Sequence, residues 1–214
     1  SIEKPFSWRE FFFQWEWMLV GVLLLVIVVN STISPYFLNL DTFIRTPATF
    51  LDKGFIVFPM MFVLILAKID ISVGSTVALS AVIMAVSYNA GLPMPLAMAL
   101  CLLVAGLGGA INGWLLVKFK ELSFVIVTLS TMIIYRGIAY IILGDQAAGN
   151  FPEWFSFLGW GDIAGIPFIL ICFILVAVAF GLLLHKTSFG RTVFGMGHSA
   201  NASKYSGVDV DKVV

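Results

Sequence analysis

Charge is what this sequence has least of. Its 12 Lys and Arg and 12 Asp and Glu make up 11% of 214 residues, where soluble domains carry about 25%. The two signs cancel, which argues against a partner such as nucleic acid or another polyanion. Cysteine is almost absent as well: Cys101 and Cys172 each lie inside an apolar run and read as free thiols filling buried space. The two histidines, His185 and His198, have no ligand partners at metal spacing, so no metal site is expected. What fills the chain instead is apolar: 60% of residues are hydrophobic and the mean hydropathy is +1.04. A water-soluble fold cannot hide that much apolar surface, so lipid is the expected solvent.

A membrane-crossing helix needs about 20 mostly apolar residues. Six stretches are candidates: 17–34, 47–67, 71–88, 94–117, 122–143 and 166–184. Their runs are too long and too uniform for barrel strands, which alternate, and lipid leaves no backbone group to bond outside the segment. The expected fold is all-α, a polytopic transmembrane helical bundle. The second stretch is flawed, because Asp52 and Lys53 interrupt it and leave only 54–67 clean.

Basic residues orient the bundle. Lys4 and Arg9 precede the first span, Lys118 and Lys120 join the fourth to the fifth, and Lys186, Arg191, Lys204 and Lys212 follow the sixth. The loop 144–165 holds Asp145, Glu153 and Asp162 with no Lys or Arg, and the loop 88–93 has no charge. Six crossings with both ends cytoplasmic put the basic loops inside. Residues 1–16 then form a cytoplasmic or interfacial segment, 17–184 the transmembrane region and 185–214 a cytoplasmic segment. No small-residue cleavage site follows the first apolar run, so it does not read as a signal peptide. The polar stretch 188–214 closes on an apolar shift at DKVV, from which a further span is expected beyond it.

Against this apolar background the few polar residues carry information. AKIDISVGSTVAL (67–79) places Lys68 and Asp70 beside lipid, where charge is costly. Two readings are open. Asp70 and Ser72 can cap a helix start and complement its dipole. Alternatively the helix is discontinuous around 67–75, with Gly74 permitting the break and Asp70 beside a polar path, since broken helices mark transporter sites. Lys68 is then its charge neighbour, its long stem reaching the surface.

GLGGAINGW (106–114) offers Gly109 and Gly113 as a small-residue pair for close helix packing, with Gly106, Gly108 and Ala110 adding small surface. Asn112 within it seeks a partner, either another helix or a translocated polar solute. Thr128, Ser130 and Thr131 can bond carbonyls one turn back. Arg136 lies about 12 Å of helix before Gly144. It can snorkel outward, line a polar path or form an ion pair. The candidate path is Asp70, Ser72, Asn112, Thr128 and Arg136.

GLLLHKTS (181–188) is not a phosphate-binding loop, because His185 stands where that loop needs Gly before Lys. No G-x-S-x-G or H-E-x-x-H pattern occurs. An enzyme is therefore not expected, and a non-transporting scaffold or assembly subunit is the main alternative to a transport subunit, with an intramembrane enzyme behind it.

IDISVGSTVALSA resembles the GIDLSVGS signature of bacterial ABC importer permeases for ribose and related sugars. FGRTVFGMGHSANASKYSGVDVDKV (189–213) is similar to the same family's cytoplasmic segment, matching at Gly190, Arg191, Val193, Gly197, Ala202, Ser206, Gly207 and Val210. STISPYFLN and YRGIAYIILGDQA look closest to the rhamnose-type branch, and GLPMPLA and LHKTSFGR to autoinducer-2 permeases. The chain departs from the pattern at Ala67 and Lys68, where the family has Gly-Gly, and at Ser199, where it has Asn.

The resemblance implies a permease subunit in the bacterial inner membrane. Such a subunit moves a monosaccharide or small polyol (rhamnose, ribose or autoinducer-2 like) delivered by a periplasmic binding protein. It implies pairing with a second permease and with two cytoplasmic ATPase domains. The ATP belongs to those partners, and no cofactor is expected in this chain. It assigns the ATPase-coupling role to Gly190, Arg191, Gly197, Ala202, Lys204, Ser206 and Gly207. On the outer side, Trp154 and Trp160 form either an aromatic belt or a docking surface for the binding protein.

Overall fold

The computed structural model describes residues 15–209. The expectations on Lys4, Arg9, Val210 and Lys212 fall outside that range. The fold is all-α apart from one two-residue hairpin. It divides into two compact units, 1–49 and 50–214.

The first unit contains α1 (Trp15–Ile33) and α2 (Leu40–Ala48). The polar end of α1 closes on itself. Asn30, Ser31 and Thr32 donate to the carbonyls of Val26, Ile27 and Val29 at 2.8, 2.6 and 2.7 Å. Such back-bonding hides polar groups on a helix whose apolar side chains face outward.

The second unit begins with α3 (Leu51–Ile65) and α4 (Val73–Asn89), followed by α5 (Met94–Lys118) and α6 (Phe124–Leu143). Then come α7 (Glu153–Trp160), the hairpin β1 (Asp162–Ile163) and β2 (Ile166–Pro167), α8 (Phe168–Lys186), α9 (Ser188–His198) and α10 (Ala200–Tyr205). Proline and glycine punctuate these elements. Pro93 and Pro95 sit at the start of α5, where a missing N–H is harmless. Gly91 and Gly144 follow α4 and α6 at φ +99° and +61°.

Packing within this unit forms two groups. In one, α4 packs on both α5 and α6. Leu79, Tyr135 and Ala139 form its buried apolar cluster, with Val82, Ile83 and Val104 packed against it. In the other, α8 packs on α3, α7 and α9, and α9 packs on α3 and α10.

Among the described residues three helices are long and apolar enough to cross a membrane alone: α5, α6 and α8. The apolar helix α4, with 17 residues, is shorter: at 1.5 Å per residue it spans about 25 Å, against a hydrocarbon core of about 30 Å. The expected span 47–67 is broken, since α2 ends at Ala48 and α3 starts at Leu51, and the two helices together meet the same length and hydropathy criterion as a bent pair. Two packing expectations also change. Gly109 has open space around it, whereas Gly108 is buried: a Cβ there would stand 3.3 Å from the Thr76 methyl and 3.6 Å from the Tyr135 ring. One residue is 100° of helix turn, enough to swap the packed glycine for an exposed one. Cys101 and Cys172 are free but only half-buried.

Candidate functional site

The site begins where α3 ends. The N–H of Ala67 donates to the Leu64 carbonyl at 2.9 Å, and that of Lys68 to the Val63 carbonyl at 3.1 Å. This pair of bonds defines a Schellman cap, whose C′ residue must be left-handed. Ala67 is that residue, at φ +55°. The break expected around 67–75 is therefore present over 66–72, but its left-handed residue is Ala67. Gly74 lies inside α4 with open space around it.

Beyond the cap, polar groups converge. One Asp70 carboxylate oxygen accepts the Ser72 N–H at 2.8 Å and the Ser72 hydroxyl at 2.7 Å. Ser72 is the N-cap residue of α4 and is 1% exposed. Asp70 thus braces the cap residue itself and does not bond N–H groups further inside the helix. Its charge lies at the positive end of the α4 dipole. The Ser72 hydroxyl in turn accepts the Asn112 side-chain N–H₂ at 2.8 Å, across 40 residues of sequence. The result is a relay from Asn112 through Ser72 to Asp70. Asn112 is buried, and its Oδ1 has no hydrogen-bond partner. An unpaired buried acceptor costs about 1–3 kcal/mol, so this oxygen is the one atom of the relay left without the partner its burial calls for.

Three further groups enclose the relay. The Ser72 carbonyl takes the hydroxyls of Ser75 and Thr76 at 2.7 and 3.1 Å. Thr128, fully buried, approaches the Ile69 carbonyl at 3.5 Å and bonds Phe124 within its own helix at 3.0 Å. The Tyr135 hydroxyl donates to the Gly108 carbonyl at 3.0 Å. Tyr135 was not singled out by sequence reasoning, and Gly108 was read only as small packing surface. The spacing Thr128, Thr131, Tyr135, Ala139 was the available signal, since it places four buried residues on one face of α6.

Lys68 is not the charge neighbour of Asp70. No ion pair joins them, and the Lys68 ammonium lies over the Phe124 ring, 5.3 Å from its centroid. The ring quadrupole attracts a cation held at this distance. Arg136 does not reach the relay either. It is exposed and lines a groove of about 620 Å³ with Ile71, Gly74, Ser75, Met132 and Tyr140. Ser75 connects the two places, because it lines the groove and also bonds the Ser72 carbonyl. Of the five path residues, the structure joins Asp70, Ser72 and Asn112, places Thr128 against the break, and leaves Arg136 in the neighbouring groove.

The second candidate region is the α9–α10 pair. Thr187 caps α9, its hydroxyl accepting the Gly190 N–H at 3.2 Å, and Ser199 caps α10, accepting the Ala202 N–H at 3.2 Å. Asn and Ser cap about equally well, which accounts for Ser at position 199. Gly190 packs on the Leu184 carbonyl and Gly197 on the Ile65 carbonyl, each leaving no room for a Cβ. The opposite face is open. Arg191, Thr192, His198, Ser199, Ala202 and Ser206 line a groove of about 480 Å³. Gly207, at φ +87°, closes another Schellman cap with N–H bonds of 3.1 Å from Gly207 to Lys204 and from Val208 to Ser203. Ser206 returns its hydroxyl to the Ala202 carbonyl at 3.0 Å. Gly207 and Ser206 therefore shape the end of α10, while Arg191 and Lys204 are the exposed cations. Trp154 and Trp160 project from α7 at 49% and 82% exposure.

Comparison with known proteins covers both regions at once. A family model described as the branched-chain amino acid transport system permease component matches residues 44–214. The chain is 34% identical over 206 residues to the autoinducer 2 import system permease protein LsrD of Escherichia coli (strain K12), and equally to that of Shigella flexneri. In each case the match takes in 94% of this chain and 62% of the relative, so the chain spans under two thirds of the length of these curated relatives. No solved structure matches.

Proposed function

Because the chain belongs to the family of branched-chain amino acid transport system permease components, we propose that it is the membrane-spanning subunit of an ABC importer carrying a small, hydroxyl-rich solute. An autoinducer-2-like sugar is the first candidate, ahead of rhamnose and ribose. The observation that carries this reading is the continuity of the family match over 44–214, which includes both the helix break and the α9–α10 pair. The name of the LsrD relatives supports the choice of solute. So does the chemistry of the relay. It offers a carboxylate, a hydroxyl and an amide, and the spare Asn112 oxygen can accept from a sugar hydroxyl. Polar solutes cross lipid by exchanging their water bonds for groups of this kind.

In this reading the groove on α9–α10 receives a cytoplasmic ATPase domain, with Arg191 offering the guanidinium for an acidic partner. Both ends of the chain are cytoplasmic, a second permease completes the pathway, and Trp154 and Trp160 meet the binding protein outside. Uptake by the importer, reconstituted in vesicles with its ATPase and binding protein, tests the function. Accumulation of autoinducer-2 and exclusion of leucine are expected, and accumulation of leucine alone would overturn the choice of solute. Orientation has its own test. An impermeant thiol reagent added outside should label Ser156→Cys and spare Ser199→Cys.

A further inference from the structure

The α9 helix touches α3 at two places. Phe189 stacks on Phe62 with ring centroids 5.7 Å apart. Eight residues on, or about 12 Å along α9, Gly197 rests on the carbonyl of Ile65, the last residue of α3. A Cβ at 197 would overlap that oxygen and lie 3.1 Å from the Ile65 Cγ2. On α3 the two contacts are only three residues apart, so α9 lies across the end of α3 and is held at two points. The Gly197 contact is backbone on backbone. Unlike a side chain, neither partner can rotate away, so the contact is stiff.

The stiffness continues past Ile65. The Schellman bonds from Ala67 to Leu64 and from Lys68 to Val63 tie the start of the connection to the last turn of α3. The Ile69 carbonyl then faces Thr128, and Asp70 binds Ser72. A close backbone contact, the capped end of α3 and five residues of chain thus connect α9 to the relay.

The geometry points to Gly197 as a positioning residue. Through the Ile65 carbonyl it fixes α9 to the helix break, so that a displacement of α9 is carried to Asp70 and Ser72. This rests on the transport reading for its purpose, but the mechanical link is testable without it. The test uses a background with Cys101→Ser and Cys172→Ser and a reporter thiol from Ile69→Cys, an exposed position in the break. Gly197→Ala should change the rate at which a maleimide labels that thiol by at least about fivefold, the lower end of usual coupling between sites. Phe189→Leu, which loosens the clamp without adding volume, should move the rate in the same experiment by less. Gly181→Ala, in α8 with open space around it, should leave the rate alone. In the reconstituted importer, Gly197→Ala should also raise the ATP hydrolysed per solute imported. That ratio would not move if Gly197 only helped the chain fold. An unchanged labelling rate in both Gly197→Ala and Phe189→Leu overturns the link. If the wild-type importer carries no sugar while the labelling shifts, the transport reading fails and the link stands.

Discussion

The two packing groups of the second unit are held together by different chemistry. Where α4 meets α5 and α6, the seam is polar: Ser72 to Asn112, Tyr135 to the Gly108 carbonyl, Thr128 toward the Ile69 carbonyl. Where α3 meets α8 and α9, the seam is aromatic. Phe173 sits against Phe55 and Phe58, Phe180 against Phe58 and Phe62, and Phe189 against Phe62. In lipid, apolar burial does not drive helices together, since tails are as apolar as side chains. A hydrogen-bonded seam has one good geometry. A seam of rings has many, with centroids anywhere from about 4.5 to 7 Å. The polar seam thus fixes α4, α5 and α6 in register, while the aromatic seam tolerates sliding along α8 and is pinned only where Gly197 rests on the Ile65 carbonyl. The 66–72 connection joins one to the other.

The most severe test of this contrast is Asp70. Removing its carboxylate leaves the Ser72 N–H and hydroxyl without an acceptor in a site that is 1% exposed. Hydrogen bonds to charged groups are worth about 1.5–3 kcal/mol, so Asp70→Ala should cut transport by roughly tenfold or more. Asp70→Asn keeps an oxygen in place and should retain most activity. Near-normal uptake in Asp70→Ala would remove the relay from the mechanism.

Phe173 tests the other side. Its ring also covers Gly54, 2.8 Å from where a Cβ would stand. Phe173→Ala forfeits two aromatic pairs at about 0.5–1.5 kcal/mol each, and thermal unfolding in detergent should record that loss. Phe173→Leu should recover much of it, because a sliding seam asks for bulk more than for shape. If Leu proves as damaging as Ala, the aromatic seam is as specific as the polar one and the contrast fails.

How much of this was legible in the sequence follows from the range of each interaction. The break was readable, since a charged pair beside an apolar run is a local feature. Ser72 and Asn112 were each readable as polar residues in need of partners. Their pairing was not, because a contact across 40 residues depends on the relative rotation of α4 and α5. The same phase decides between Gly108 and Gly109. Lys68 was misplaced because proximity in sequence favoured Asp70, whereas Phe124 comes from another helix. The phenylalanine seam went unread because, in so apolar a chain, aromatics carry no periodic contrast.

The Ser72–Asn112 pair gives a smaller effect and a sharper number. A double-mutant cycle with Ser72→Ala and Asn112→Leu isolates the bond from the separate costs of each change. Interhelical hydrogen bonds in membranes average about 0.6 kcal/mol and reach about 1.7. A value in the upper part of that range is expected, because the Ser72 hydroxyl is held by Asp70 at the same time. A coupling of zero would mean that α4 and α5 keep their register without it.

The smallest expected effect lies at the junction of the two seams. The C′ position after α4 is Gly91 at φ +99°, and the one after α10 is Gly207 at φ +87°, but the one after α3 is Ala67 at φ +55°. A left-handed L-residue pays roughly 1–2 kcal/mol in contact between its Cβ and the following carbonyl. Glycine would escape that cost but would lose about 0.4–1 kcal/mol by freeing the unfolded chain. The balance for Ala67→Gly is therefore a gain of roughly 0.5 kcal/mol, from these two opposing costs, visible as a slightly higher unfolding temperature. Gly91→Ala places a methyl at φ +99°, further from the left-handed well at about +57° than Ala67 at +55°, so it should destabilise by more than Ala67→Gly stabilises. If Ala67→Gly instead lowers stability, relief of backbone strain does not decide the balance at 67. The methyl group, or the stiffness it lends the connection between α9 and Asp70, would then be what the chain gains from Ala. The sign of this one small change thus separates a merely tolerated residue from one that keeps the junction rigid.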